Sequence, residues 1–224
     1  MKQTLLLLCV LGLILSCSSL PQVYSAGDST DPQPDRTCRG PFPDGDWQLL
    51  HSIEATLPGG KKGFLMGLTI ISSSNRTARC VIMTLEGFVV FDALYDKQIS
   101  VKRAIAPFDS GVFANGLIDD INLIFFKPSG SIVTSGFFKS GAAVCRYQKP
   151  DGRTVDLVNP GDRSRQIIQY SRQLRLISTV TAFFSKENPA DEQAAIPDRL
   201  ELTAHGVVGY NLNMDLVEAV PLGP

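Results

Sequence analysis

Large apolar side chains recur at every second position through most of this sequence, and that period of two dictates a β-sheet fold. The run Phe64-Leu65-Met66-Gly67-Leu68-Thr69-Ile70-Ile71 places its bulkiest apolar groups at 64, 66, 68 and 70. Residues 79–85, 88–91 and 99–102 follow, separated by Ser72-Ser73-Ser74-Asn75, Glu86-Gly87 and Tyr95-Asp96-Lys97, which makes a meander of four strands. Residues 142–147 and 154–158 flank the hairpin turn Pro150-Asp151-Gly152. Strands at 166–170, 174–184, 200–203 and 207–217 complete the pattern. In the last of them Tyr210, Leu212, Met214 and Leu216 alternate with Asn211, Asn213 and Asp215, so one face is apolar and the other wet.

The period changes once. Between 112 and 126 the apolar positions Val112, Phe113, Leu117, Ile118, Ile121, Leu123, Ile124 and Phe125 fall at spacings near three and four, with Asp119-Asp120 expected on the opposite, wet side. Asp109-Ser110 supplies capping side chains and Pro128 follows the end, so this segment reads as a helix lying on the sheet. About eleven strands, one or two helices and no βαβ alternation predict a mainly β fold built on a curved antiparallel sheet.

The N-terminus carries a different signal. Lys2 precedes an apolar stretch over residues 4–15, too short for the roughly 20 residues of a spanning helix but suited to the core of an export signal. Ile14-Leu15-Ser16-Cys17 resembles the lipobox of bacterial lipoprotein precursors, in which the cysteine becomes the lipidated N-terminus. The alternative is cleavage after Ser25-Ala26, where Tyr24 occupies a position that prefers a small residue. On the lipobox reading residues 1–16 are a signal peptide, 17–46 are a lipidated cysteine and a Ser/Pro/Asp/Gly-rich flexible tether, and 47–224 are the folded domain. Ser18-Ser19 after the cysteine, with no aspartate, implies sorting to an outer membrane.

Chemistry is sparse. The 21 basic and 22 acidic residues sum to −1, which offers no bulk attraction for nucleic acid. The two histidines, His51 and His205, fall in no metal or hydrolase motif, and no G-x-S-x-G, H-E-x-x-H or phosphate-binding glycine loop occurs, so neither an enzyme nor a metal or other cofactor is expected. After export Cys38, Cys80 and Cys145 remain; one disulfide is expected at most, and its pairing is open.

Several stretches carry a resemblance. Thr84-Leu85-Glu86-Gly87-Phe88-Val89-Val90-Phe91, Gly116-Leu117-Ile118-Asp119-Asp120-Ile121-Asn122-Leu123, Ile196-Pro197-Asp198-Arg199-Leu200-Glu201-Leu202 and Gly209-Tyr210-Asn211-Leu212, in this order behind the lipobox, resemble the LolA/LolB superfamily of lipoprotein-localisation factors. The likeness is nearest to LolB-like bacterial lipoproteins. It implies an incomplete β-barrel with a helical lid over a hydrophobic cavity for acyl chains such as palmitate. It further implies anchorage in the outer membrane through Cys17, a domain facing the periplasm, and a LolA-like carrier as partner. The cavity wall would then be Phe64, Met66, Leu68 and Ile70 on an early strand, Leu117, Ile121 and Ile124 on the lid, and Tyr210, Leu212, Met214 and Leu216 on the last strand. The family's exposed membrane-delivery loop has Phe137-Phe138 as its candidate here. The competing expectation is a structural envelope lipoprotein with the same sheet solidly packed and no cargo.

Overall fold

The computed structural model describes residues 19–25, 38, 40–185, 196–206 and 209–223. Its strands are β1 (Asp46–Thr56), β2 (Lys62–Ser72), β3 (Thr77–Met83), β4 (Val89–Asp96), β5 (Gln98–Ala104), β6 (Ser131–Phe137), β7 (Ala143–Gln148), β8 (Thr154–Asn159), β9 (Ser164–Tyr170), β10 (Leu176–Phe183), β11 (Arg199–Ala204) and β12 (Tyr210–Leu222). The helix among the described residues, α1 (Gly111–Phe125), joins β5 to β6. All twelve strands form one antiparallel sheet in the order β5-β4-β3-β2-β1-β12-β11-β10-β9-β8-β7-β6. Its two edges, β5 and β6, are not paired with each other, so the barrel is incomplete and a helix, not a ladder of hydrogen bonds, bridges the gap. Register shifts at Leu50/His51, Ile82/Met83, Asp92/Ala93 and Ile132/Thr134 bend individual strands and curve the sheet.

Alternation sorts side chains to two faces. On the inner face Leu49 lies opposite Thr69, which lies opposite Cys80, and Leu202 lies opposite Val180 and Leu212. The inner residues Leu49, Phe91, Ile167, Val180, Leu200 and Leu202 are almost fully buried against the apolar side of α1. Successive hairpin turns of a meander fall at alternate ends of the strands. The β1–β2, β3–β4 and β7–β8 turns therefore share one end, and the β2–β3, β4–β5 and β6–β7 turns the other.

The two strands that the sequence pattern did not mark are β1 and β6. In β1 the inward set Trp47, Leu49, His51, Ile53 and Ala55 includes a histidine, and outward Leu50 blurs the alternation. In β6, an edge strand, Ile132 and Val133 are both exposed and Gly136 interrupts the run.

Two assignments of faces change. Phe64, Met66, Leu68 and Ile70 point away from α1: Leu68 pairs with Leu50 and Val81, and Ile70 with Gln48 and Arg79, on the outer side. The inward set of β2 is Leu65, Gly67, Thr69 and Ile71. Both phases of this strand are apolar, and the inner one uses small residues where space is short; a methyl at Gly67 would lie 2.7 Å from Ile53 Cδ1. The bulkier phase is thus the outer one. The second change concerns Asp120, which is buried under the helix and not on its wet side.

The stretch expected as a free tether is attached to the sheet wherever it is described. Tyr24 and Phe137 exchange both backbone hydrogen bonds at 2.9 Å, extending the free edge of β6. Arg146 donates to the Pro21 carbonyl at 3.0 Å. Cys38 is disulfide-bonded to Cys145 on the inner face of β7, which settles the pairing, and Cys80 is the free thiol among the described residues, and it is buried. Composition argued only that this stretch has no core of its own; its attachment comes from backbone bonds and a covalent bond. The signal segment and Cys17 lie outside the described residues.

Candidate site: the inner face beneath the helix

The helix is placed by its ends. Ser110 caps it, its Oγ accepting from Phe113 N–H at 3.1 Å, and Phe126 leaves in an extended conformation two residues before Pro128. Its first turn packs on β4, the Phe113 ring meeting Phe91 edge-on at 5.2 Å between centroids. Its middle lies over the centre of the sheet, where Tyr210 of β12 donates to the Asp120 carboxylate, and reaches toward the β6 side, where Arg153 in the β7–β8 turn lies 3.4 Å from Asp119. Its last turn comes to β1, with Phe125 6.2 Å from the His51 ring. Arg76, at the β2–β3 turn, stacks over Phe126 and donates to the Lys127 carbonyl at 2.9 Å. The helix therefore crosses the open side of the sheet as a lid held at both banks.

Beneath it, Ile118, Ile121 and Ile124 are buried and Leu117 is half-buried against the core. From the sheet side come Met214, buried, and Tyr210, Leu212 and Leu216, half-buried on the same face. The structure thus brings the helix set and the β12 set together, and leaves the β2 set outside. Half-buried Trp47, Ile53, Leu65, Phe113 and Phe184 complete this apolar surface; the pattern of β1 could have found the first two.

Three polar groups sit in this apolar setting. Burial pushes the Asp120 carboxyl up to about 6, opposed by the Tyr210 hydrogen bond and reinforced by the neighbouring charge of Asp119. Burial, then the charge and hydrogen bond of Asp120, push the Tyr210 phenol upward, so it stays a donor. His51 is held down to about 4 by burial, partly offset by the Asp215 charge, so at neutral pH its ring is uncharged. Its Nε2 has no hydrogen-bond partner among the described residues. Burial pushes the Cys80 thiol up to about 12, which keeps it unreactive. His205 sits exposed in the β11–β12 turn, 3.3 Å from Thr179 Oγ1. Among the described residues no cluster of three or more His, Cys, Asp or Glu side chains could hold a metal ion.

A second apolar feature lies at one end of the strands. Leu57 in the β1–β2 turn, Leu85 and Phe88 in the β3–β4 turn, and Val112 at the start of α1 are largely exposed; Leu85 is 63% and Val112 85% accessible. Arg103 stacks over Phe88 at 5.0 Å. Phe137 is also exposed, but at the opposite end, beside Tyr24.

No family model matches the chain, and no curated protein matches it. Among solved structures the chain is similar to a LolA superfamily protein from Nitrosomonas europaea, with 12% sequence identity and a TM-score of 0.55. The likeness covers 85% of this chain and 92% of that one. At that identity the likeness is one of fold: this open antiparallel sheet with its helix is folded like that LolA superfamily protein.

Proposed function

We propose that the inner face of the half-barrel takes up acyl chains, and that the protein is a non-enzymatic carrier or acceptor of lipoproteins or other lipid cargo, anchored in an outer membrane through Cys17. One observation supports this most: an apolar surface of Leu117, Ile121, Tyr210, Leu212 and Leu216 is closed by a helix bridging an unpaired gap. A helix seated by side chains can lift without breaking a β-ladder. The fold likeness and the lipobox resemblance support the same reading. The rim of Leu57, Leu85, Phe88 and Val112, at the end where α1 begins, is the port on this reading.

In this structure the lid is closed and Ile118, Ile121 and Ile124 are buried, an observation that equally suits an envelope protein with a packed core and no cargo. Uptake of a fluorescent fatty acid, with folding followed by circular dichroism, separates the two readings. Leu212→Glu sets a charge on the inner face and is expected to abolish uptake. Leu68→Glu sets one on the outer face and is expected to leave uptake intact. A folded wild-type protein that takes up no probe would refute the carrier.

A further inference from the structure

The hollow side of the half-barrel has two ends. The rim of Leu57, Leu85, Phe88 and Val112 marks one, and β1 begins at the other, beside the β2–β3 turn. The chain ahead of β1 crosses that second end and is fixed on both sides of it. On one side Cys38 is bonded to Cys145 on the inner face of β7. On the other, Gly45 donates to Ser73 Oγ at 2.8 Å and its carbonyl accepts from Ser73 N–H at 3.1 Å, in the β2–β3 turn. The strands that these fixings adjoin, β7 and β1, stand six places apart in the sheet. Between the fixings the side chains pack inward: Cys38 is buried and Phe42 half-buried against the inner-face core, and Pro41 and Pro43 are buried. The two prolines bring no N–H that an apolar setting would leave unpaired. Gly40 makes room for the Phe42 ring, whose Cε2 would lie 2.1 Å from a Cβ there. Trp47, inward on β1, donates through Nε1 to the Asp44 carbonyl at 2.8 Å and ties the run to the sheet.

We propose that this run is the floor of the acyl site and sets the length of chain that the protein accepts. The inference rests on the reading of the inner face as an acyl site and deepens it: chains enter at the rim, and their methyl ends stop at Phe42 and Pro43. Lid and floor differ in how they are held. The helix is seated by side chains and can lift, whereas the floor is joined to β7 by a covalent bond and stiffened by two prolines, so loading moves the first and not the second. Each methylene taken from water raises affinity by up to about fourfold, and a methylene beyond the floor adds nothing. The ligand class that follows is acyl chains up to a set length.

The test measures the affinity of the wild-type protein for saturated fatty acids, from lauric to arachidic, by displacement of a fluorescent fatty acid, with folding followed by circular dichroism. Affinity is expected to climb with each added methylene and to level off or fall past one length. Phe42→Ala lowers the floor and is expected to move that break to a longer chain, raising affinity for the longer acids several-fold and leaving the shorter ones little changed. Cys38→Ser frees one side of the floor and is expected to move the break in the same direction. A further arm needs no variant and decides the matter where these fail to fold. A fatty acid of the break length with a diazirine at its methyl end is expected, on illumination of the wild-type protein, to label the residues just ahead of β1. A climb without a break, a break that stays in place in folded Phe42→Ala, or label on the rim overturns the floor and leaves the carrier standing. A folded wild-type protein that binds no fatty acid of any length overturns both.

Discussion

Replacing Asp120 with asparagine is expected to change how stability depends on pH, in a direction set by two buried groups that oppose each other. Asp120 titrates at about 6 in the folded protein against an ordinary carboxylate value of 3.8, because it is desolvated under the helix. A folded-state value above the unfolded one means that stability is highest below pH 3.8 and is lost as pH rises toward 6. At about 1.4 kcal/mol per pH unit, the ionised carboxylate costs about 3 kcal/mol at pH 7. His51 works the other way. Its folded value of about 4 lies below the ordinary 6.5, so its contribution is intact above pH 6.5 and falls as pH drops toward 4, again by about 3 kcal/mol. Between pH 4 and 6 the two slopes nearly cancel in the wild type. Asp120→Asn keeps an acceptor for Tyr210 and removes one slope. Carboxylates held low by ordinary partners, such as Asp92 beside Arg79, are common to both proteins and drop out of the difference. Urea unfolding followed by circular dichroism across pH 4–7 measures that difference. The variant should gain about 3 kcal/mol relative to wild type between the two limits, above any constant offset, and should show the acid-side loss belonging to His51. Parallel profiles for the two proteins would refute the reasoning, since Asp120 would then not be ionising from a desolvated site.

Other perturbations follow from the same geometry. Asp156→Ala leaves the Arg146 guanidinium, only 11% exposed, without its partner and is expected to cost about 3–5 kcal/mol by urea unfolding, whereas a paired replacement of both by Met and Leu should recover most of it. Cys38→Ser opens a disulfide that closes a loop of 107 residues and is expected to lower stability by about 2–4 kcal/mol under oxidising conditions, with no effect under reducing ones. Ser110→Ala removes the cap of α1 and is expected to cost about 1 kcal/mol and to quicken fatty-acid uptake through a looser lid, read by stopped-flow fluorescence.

The fold was largely legible because the sheet obeys one rule over most of its length. Strand period, turn residues, the capped helix and the antiparallel class all follow from residues that act locally, such as Ser110 and the turn at Pro150-Asp151-Gly152. Faces were less legible. Apolar alternation gives the phase of β12, where the other face is Asn211, Asn213 and Asp215, but not that of β2, where both phases are apolar. What decides β2 is the partner strand, since Gly67 faces His51 and Leu65 faces Ile53. Asp120 was less legible for a related reason: one of two adjacent acids on a helix reads as wet until Tyr210, 90 residues away, is seen to hold it. Neither the Tyr24–Phe137 bridge nor the Cys38–Cys145 bond leaves a periodic trace, because both depend on contacts between segments far apart in the chain.

Whether a closed lid is compatible with cargo is a question of comparable energies. Lifting α1 would expose the faces of Leu117, Ile118, Ile121 and Ile124, each worth about 1.5–3 kcal/mol when buried, so the apolar seal is of order 6–12 kcal/mol. An acyl chain of about 15 methylenes leaving water gains on the order of 12 kcal/mol at about 0.8 kcal/mol per CH₂, before its own ordering cost. The two quantities are of the same size. A chain that slides under the helix replaces helix–sheet contacts with chain–sheet contacts, and the apolar surface left facing water hardly changes. The polar contacts at the lid's margin, Tyr210 to Asp120 and Arg153 to Asp119, then decide between closed and loaded states, because they are specific to one position of the helix. A seal much stronger than the cargo term would admit nothing, and a much weaker one would leave the empty protein open to aggregation. On the proposed reading near balance is the condition for reversible exchange, and an incomplete barrel whose helix is seated by side chains can reach it without breaking a strand pair. Tyr210→Phe removes the marginal contact while keeping the apolar ring. On this reading it should shift the balance toward the loaded state and raise fatty-acid affinity several-fold, while leaving an unpartnered carboxyl that makes the empty protein less stable at pH 7 than at pH 5. Unchanged affinity with lowered stability would mean that the Asp120 contact holds the fold and does not hold the lid.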